Sequence, residues 1–131
     1  MLAYHKSFEI GRLKDLADWN PEHRNRIETI ISTMRDLADP FRQKDYSCYQ
    51  MEGSYSLKAV LPALVNNLSY NGMAISDGNM AMDAYYRMCK ETDAMEVERI
   101  RNELLDYCRL DTLAMVKILE RVKMSNHVLQ F

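Results

Sequence analysis

A stripe of apolar residues dominates the C-terminal third of the sequence. Apolar side chains recur there at steps of three and four residues, the spacing of one face of an α-helix. The stripe comprises Val97, Ile100, Leu104, Tyr107, Cys108, Ala114, Met115, Ile118 and Val122. It predicts one long amphipathic helix that begins at Thr92 or Asp93 and continues to Arg121 or beyond.

The N-terminal segments carry shorter signals. Residues 1–4 are mostly apolar and predict a strand, and Ser7 predicts the cap of a helix over residues 8–19. A second helix is expected over residues 21–35, because a first-turn proline and an acid open it. Residues 36–41, where a proline follows a short apolar stretch, predict a brief extended piece or a turn.

The middle of the sequence is more irregular. Residues 42–54 are polar and predict a long loop that leads to a helix cap at Ser54 or Ser56. The following residues, 57–65, predict a helix that Pro62 kinks or splits in two, because proline cannot donate to the preceding turn.

A further helix over residues 79–90 precedes the long C-terminal one. No internal repeat, low-complexity tract or Gly/Ser linker divides the sequence. We therefore expect a single domain over residues 1–131, mainly α, with five or six helices and one or two short strands around one core.

Composition excludes several classes of function. The formal net charge of −2 leaves no basic surface for binding nucleic acid through bulk charge, so such binding would need a metal or a local patch. No apolar stretch approaches the roughly 20 residues of a membrane helix, and no secretory segment is present, so a cytoplasmic protein without membrane contacts is expected.

Sulfur-containing residues are interpreted as structural. The three cysteines are far apart, which argues against a disulfide framework and a zinc site and predicts packing residues. They are Cys48, Cys89 and Cys108. Four of the ten methionines are predicted to be adaptable core filler rather than a metal or cofactor box. These four are Met80, Met82, Met88 and Met115.

Asp111 occupies the position at which the apolar stripe is interrupted. A carboxylate on an apolar helix face is costly unless it is paired, hydrogen-bonded or bound to a cation. Two interpretations follow: a buried aspartate bonded to a loop backbone or an arginine, or a metal-binding or catalytic residue. Tyr107 lies four residues earlier, so its phenol shares a helix face with the carboxylate, although tyrosine on such a face is usually a core residue.

Three segments together resemble a known family. They are YHKSFE at residues 4–9, GSYSLKAVLP at residues 53–62 and YCRLDT at residues 107–112. In this order they resemble the C-terminal part of the bacterial family called Domain of Unknown Function 2779. That family is similar to DEDDy-type 3′–5′ exonucleases with a ribonuclease H-like fold, whose last motif is a tyrosine four residues before an aspartate.

The resemblance implies a site of four acids that holds two Mg²⁺ or Mn²⁺ ions for phosphodiester hydrolysis of nucleic acid. Asp111 would be the last metal-binding acid and Tyr107 would orient the attacking water. Glu9 would be the metal-binding acid of the second motif, although from its position alone it is an ordinary first-turn acid. The chain departs from the exonuclease pattern in having His5 and Glu9 in place of the usual asparagine and aspartate.

The first exonuclease motif, Asp-x-Glu, would lie before residue 1. The resemblance therefore predicts the C-terminal half of a ribonuclease H-like α/β fold that lacks its first strands, inactive alone and metal-bound only if a missing segment completes the site. The lost sheet would leave apolar surface for self-association or for a partner chain. The alternative function is a non-catalytic helical module for protein–protein interaction.

Overall fold

Six α-helices and a two-stranded parallel sheet make up the part of the chain that the computed structural model describes, residues 1–125. The strands are β1 (Leu2–Ala3) and β2 (Arg35–Asp36). The helices are α1 (Lys6–Trp19), α2 (Arg24–Ser32), α3 (Asp39–Arg42), α4 (Leu57–Leu64), α5 (Gly78–Lys90) and α6 (Ala94–Met124). The prediction of a mainly α fold with short strands is confirmed.

The two strands pair in parallel, with Leu2 opposite Arg35 and Ala3 opposite Asp36. The Arg35 amide donates to the Met1 carbonyl at 2.9 Å, and the Leu37 amide donates to the Ala3 carbonyl at 2.8 Å. Helices α1 and α2 form the crossover that parallel strands require. The predicted strand at the N-terminus is therefore present. The brief extended piece or turn expected at residues 36–41 is present only in part: Asp36 ends β2, residues 37–38 form a turn, and α3 begins at Asp39.

The cap predicted at Ser7 is wrong. Helix α1 begins at Lys6, and its N-cap residue, His5, has a left-handed backbone with a φ of 59° and makes no side-chain cap bond. The Asp36 carboxylate replaces the cap: it accepts the amides of His5 at 2.9 Å and Lys6 at 3.1 Å. It also accepts the Ala38 amide at 3.0 Å. The carboxylate from β2 thus satisfies free N–H groups at the start of α1.

Helix α6 carries the main core. Its N-cap Asp93 accepts the Met95 amide at 3.0 Å, as the sequence allowed. Its buried residues are Ile100, Ala114, Ile118 and Val122. The last three of these pack with α4, whose Val60, Leu61 and Leu64 are also buried. Helix α4 has the predicted cap at Ser56 and continues through Pro62, so the alternative of two separate pieces is wrong.

Several predicted packing residues lie on the surface instead. Cys89 and Cys108 are exposed and Cys48 is half-buried. Met80 and Met82 are exposed, because α5 buries Ala84 against α6 and turns its other side to solvent. Met88 and Met115 are half-buried against the core, as expected of filler. Within residues 1–125, no helix combines the length and the apolar content needed to cross a bilayer.

Candidate functional site

A cavity of about 450 Å³ lies where β1 meets the beginnings of α1, α4 and α5 and the middle of α6. Glu9, Tyr107 and Asp111 all contribute to its lining. Glu9 comes from the first turn of α1, while Tyr107 and Asp111 come from α6. The fold thus brings the three predicted site residues, from opposite ends of the sequence, to one cavity.

Asp111 is half-buried, and its Oδ1 accepts a hydrogen bond of 2.5 Å from the Tyr70 hydroxyl. Tyr70 lies in the loop between α4 and α5 and is only 5% exposed. The apolar stripe is therefore interrupted by a carboxylate whose partner is a phenol from a distant loop. This partner is neither the loop backbone nor the arginine that the structural interpretation anticipated.

Tyr107 lies beside this pair. Its ring centroid is 6.1 Å from that of Tyr70, with the rings tilted by 50°. Burial, together with the negative charge of Asp111, raises the pKa of Tyr107 to about 12. The same two causes, burial and Asp111, also raise the pKa of Tyr70 far above its ordinary value. Both phenols are therefore neutral hydrogen-bond donors at physiological pH.

Glu9 and His5 also line the cavity. Glu9 is exposed, so its carboxylate is hydrated. His5 also contributes to the lining, and its ring meets the Tyr4 ring edge-on with centroids 5.1 Å apart. The Tyr4 hydroxyl donates to the Tyr55 carbonyl at 2.7 Å, which ties β1 to the loop before α4.

The comparison with protein families bears on the N-terminal part of the chain. A family model described as "Domain of unknown function (DUF2779)" matches residues 1–56. The match includes Glu9 and ends before Tyr107 and Asp111.

A curated relative, "Uncharacterized protein UU173" from Ureaplasma parvum serovar 3, is 28% identical over 152 residues. The alignment covers 98% of this chain and 22% of the relative, so the chain spans about a fifth of that protein's length. No solved structure matches the chain.

The cavity also contains residues that the sequence did not single out. The Asp77 carboxylate caps α5 by accepting the Met80 amide at 2.9 Å, and that bond lowers the pKa of Asp77. Its other oxygen lies 3.4 Å from the Lys58 ammonium. The sequence predicted a helix over residues 79–90 but gave no sign that the residue capping it belongs to a site. No sequence pattern indicated Tyr70 as a site residue, because it lies in a loop without helical or strand periodicity.

The cavity contains ligands of the type that a hard cation prefers, but too few of them are available to hold one. Carboxylate oxygens are the ligands that Mg²⁺ and Mn²⁺ prefer. Three carboxylates line the cavity, but Asp77 is engaged by Lys58 and by the α5 amide, which leaves Glu9 and Asp111. Across residues 1–125, no three His, Cys, Asp or Glu side chains are grouped so that they could hold a metal ion. The described residues therefore do not form a metal site by themselves.

Proposed function

We propose that the cavity is one half of the active site of a metal-dependent, 3′–5′ exonuclease-like domain that hydrolyses phosphodiester bonds. Glu9 and Asp111 would bind Mg²⁺ or Mn²⁺, and Tyr107 would orient the attacking water. The observation that supports this most is the convergence of the three residues on one cavity. Nothing in the spacing of the sequence required α1 and α6 to contribute residues to the same cavity.

Each residue has a role that its surroundings allow. A bound divalent cation would supply activation of water and stabilisation of the leaving oxygen. Glu9 and Asp111 would provide the anionic oxygens that retain the cation. Because the pKa of Tyr107 is about 12, its phenol keeps its proton at neutral pH and can donate a hydrogen bond to a water molecule or a phosphate oxygen.

Completion of the site would need acids from outside residues 1–125. Two carboxylates carry about half of the charge needed to neutralise two divalent ions. The free edge of β1 is a suitable place for the missing part. The Met1 and Ala3 carbonyls accept from β2, so the alternating backbone directs the Leu2 carbonyl to the other edge. No strand in residues 1–125 pairs with that edge, and β1 lines the cavity.

A strand that joined this edge would bring its side chains next to Glu9 and Asp111. The relative's much greater length is compatible with such a completing segment in a larger protein. The segment would carry the Asp-x-Glu motif and would come either from the same polypeptide or from a partner chain. The substrate would be a nucleic acid strand.

Titration with Mn²⁺ tests the site. We expect the chain to bind Mn²⁺ weakly, with a Kd of about 1 mM, since few charged ligands give low affinity. Asp111→Asn and Glu9→Gln should each reduce binding, as followed by calorimetry and by the Mn²⁺ paramagnetic resonance signal. Asp106→Asn is the matched control, because Asp106 is an exposed aspartate of α6 outside the cavity lining. Equal Mn²⁺ binding by all four proteins would refute the proposal.

A nuclease assay tests whether the proposed active site is incomplete without the additional segment. The 131-residue chain is expected to leave single-stranded DNA and RNA intact in the presence of Mg²⁺ or Mn²⁺. Cation-dependent digestion that disappears in Asp111→Ala would show that the site is sufficient by itself. That result would contradict the need for a completing segment.

A second candidate is the helical interaction module. It is favoured by an exposed apolar face on α6, formed by Leu105, Leu113 and Val116. This function predicts no Mn²⁺ binding and a fold that is indifferent to Asp111→Asn. The Mn²⁺ titration therefore distinguishes the two candidates.

A further inference from the structure

Helix α1 has an aromatic face that is open to solvent. Phe8 is 63% exposed, and Trp19, the one tryptophan of the chain, is 80% exposed. Three helical turns separate the two residues, so their rings lie on one line along the helix, about 16 Å apart. The opposite side of the helix carries its buried residue, Ala17. Large apolar side chains aligned on an exposed face mark a surface for interaction with another molecule.

Two charged side chains lie between the rings on the same face. Arg12 and Asp15 form an ion pair of 3.0 Å, and their side chains are 66% and 45% exposed. The Arg12 guanidinium also lies over the Phe8 ring, 5.8 Å from its centroid. The outer face of α1, defined by Phe8, Arg12, Asp15 and Trp19, therefore presents in order a ring, a positive charge, a negative charge and a ring.

This order is self-complementary. The midpoint of Arg12 and Asp15 lies between residues 13 and 14, and the midpoint of Phe8 and Trp19 lies at the same place. When two copies of α1 run antiparallel about a twofold axis through this point, Phe8 of each copy meets Trp19 of the other. Arg12 of each copy likewise meets Asp15 of the other. A parallel pair of helices would instead place like charges together.

We propose that the outer face of α1 binds a second copy of this chain, with the two α1 helices antiparallel about a twofold axis. A twofold contact needs a negative group at the position related by symmetry to each positive group, and Arg12 and Asp15 meet this requirement. A different protein as partner would need no such symmetry within one helix. The inference is independent of the cavity and of any metal ion.

The size of the contact predicts a weak dimer. Two helices of 14 residues touch along a strip about 20 Å long and about 10 Å wide. A standard stable interface buries about 800 Å² on each partner, so this smaller contact belongs with weak, transient ones. We expect a Kd on the order of 100 µM for this contact, which is therefore little occupied at micromolar chain concentration.

Fluorescence of Trp19 reports the contact directly, since the chain has no other tryptophan. Its emission should shift to shorter wavelength as the chain concentration rises from about 1 µM to about 1 mM, because the indole ring leaves water. Phe8→Ser removes the ring that faces Trp19 and should raise the Kd by about tenfold or more. Val116→Glu is the control, because it alters the exposed apolar face of α6 and should leave the Trp19 shift unchanged.

Charge reversal tests the antiparallel register. Arg12→Glu and Asp15→Arg each bring like charges together across the twofold contact, and each should raise the Kd by about tenfold or more. An equimolar mixture of the two variants should associate again, because each acidic side chain of one protein then meets an arginine of the other. The double variant, Arg12→Glu with Asp15→Arg, should associate with itself, with a Kd within about threefold of that of the unmodified chain.

The mixture is the decisive measurement. Neither single variant can regain the Arg12–Asp15 ion pair within its own helix, so renewed association can come only from contact between molecules. Trp19 emission that does not change with concentration in the unmodified chain would exclude a second copy from this face. Association that neither charge reversal weakens, or a mixture that stays monomeric, would refute the antiparallel register. A loss of the Trp19 shift in Val116→Glu equal to that in Phe8→Ser would place the contact elsewhere.

Discussion

At the scale of single residues, two aspartates have different roles although both lie against apolar surroundings. Asp36 is 3% exposed, and backbone amides of His5, Lys6 and Ala38 surround its carboxylate. Asp111 is more open and has one hydroxyl as its partner. A carboxylate with three amide donors is satisfied by the backbone, whereas Asp111 depends on phenol side chains.

Asp36→Ala should therefore destabilise the fold strongly. The change leaves three amides without their acceptor and removes the cap of α1, so we expect the free energy of unfolding to fall by about 3 kcal/mol. Urea unfolding followed by circular dichroism measures this loss. Asp83→Ala, an exposed substitution on α5, should change stability by no more than about 0.5 kcal/mol. Equal stability of the two variants would contradict the role of Asp36 as a cap.

The raised pKa of Tyr107 predicts alkaline sensitivity. Tyr107 has its pKa at about 12 in the folded chain and at an ordinary value near 10 when unfolded, so between these values the folded state holds the extra proton. The stability that this proton contributes is complete below about pH 10 and is lost as pH rises toward 12. Tyr107→Phe should reduce the slope of unfolding free energy against pH in this window.

The control for this pH experiment is Tyr49→Phe, because Tyr49 is 94% exposed and contributes no burial. Its slope between pH 10 and pH 12 should match that of the unmodified chain. Identical slopes for Tyr107→Phe and Tyr49→Phe would show that burial of Tyr107 does not disfavour its phenolate. Urea titrations at several pH values supply the measurements.

The sequence indicated that Asp111 is unusual but did not indicate that Tyr70 is its hydrogen-bond partner. A helix has a strict period, so one polar residue in the apolar stripe is visible without a structure. Tyr70 is different, because its position depends on how the loop after α4 packs. Asp36 was hidden for a related reason: its three amide partners are the N-cap and first residues of α1 and a residue of its own turn, and no local pattern links them.

At the scale of secondary structure elements, short polar side chains determine where the later helices begin. Ser56, Asp77 and Asp93 cap α4, α5 and α6, each by accepting an amide two or three residues ahead. These caps were predictable, since the bond is local and the residue types are those that favour it. The prediction failed at Ser7, where a carboxylate from a neighbouring strand takes the place of the local cap.

Ser56→Ala tests the contribution of one local cap. Its side chain accepts the Ala59 amide at 3.3 Å at the start of α4, the helix whose buried residues pack on α6. The substitution should lower the free energy of unfolding by about 1 kcal/mol, the usual cost of losing a serine cap. Ser47→Ala, at an exposed loop position, is the control and should be neutral. A neutral Ser56→Ala would mean that packing alone determines where α4 begins.

At the scale of the whole molecule, the longer helices were predictable, whereas α3 and the packing partners of the helices were not. Helical periodicity and caps are local, so the bounds of α5 and α6 followed closely from the sequence. The pairing of β1 with β2 joins residues more than 30 positions apart and depends on the crossover between them. The cavity depends on the same long-range packing, and for that reason its volume and the presence of Tyr70 and Lys58 in its lining required the structure.

The outer face of α6 leads to the last prediction, which concerns association between molecules. Leu105 and Val116 lie on the side of the helix opposite Ala114, and Val116 is 48% exposed. Exposed apolar side chains on one helix face favour association. A second copy can meet the stripe with its own, in the self-complementary contact typical of twofold dimers. We therefore expect a monomer–dimer equilibrium at micromolar concentration in sedimentation experiments.

A charged residue introduced on this face should weaken the dimer. Val116→Glu would bring two carboxylates together across the twofold contact, and the dimer should weaken by about tenfold or more, since central interface residues contribute over about 1 kcal/mol. Met95→Glu is the control, because Met95 is 83% exposed but near the far end of α6. A chain that sediments as a single monomer at micromolar concentration would show that this face stays in contact with water. An effect of Met95→Glu equal to that of Val116→Glu would instead place the contact elsewhere on the surface.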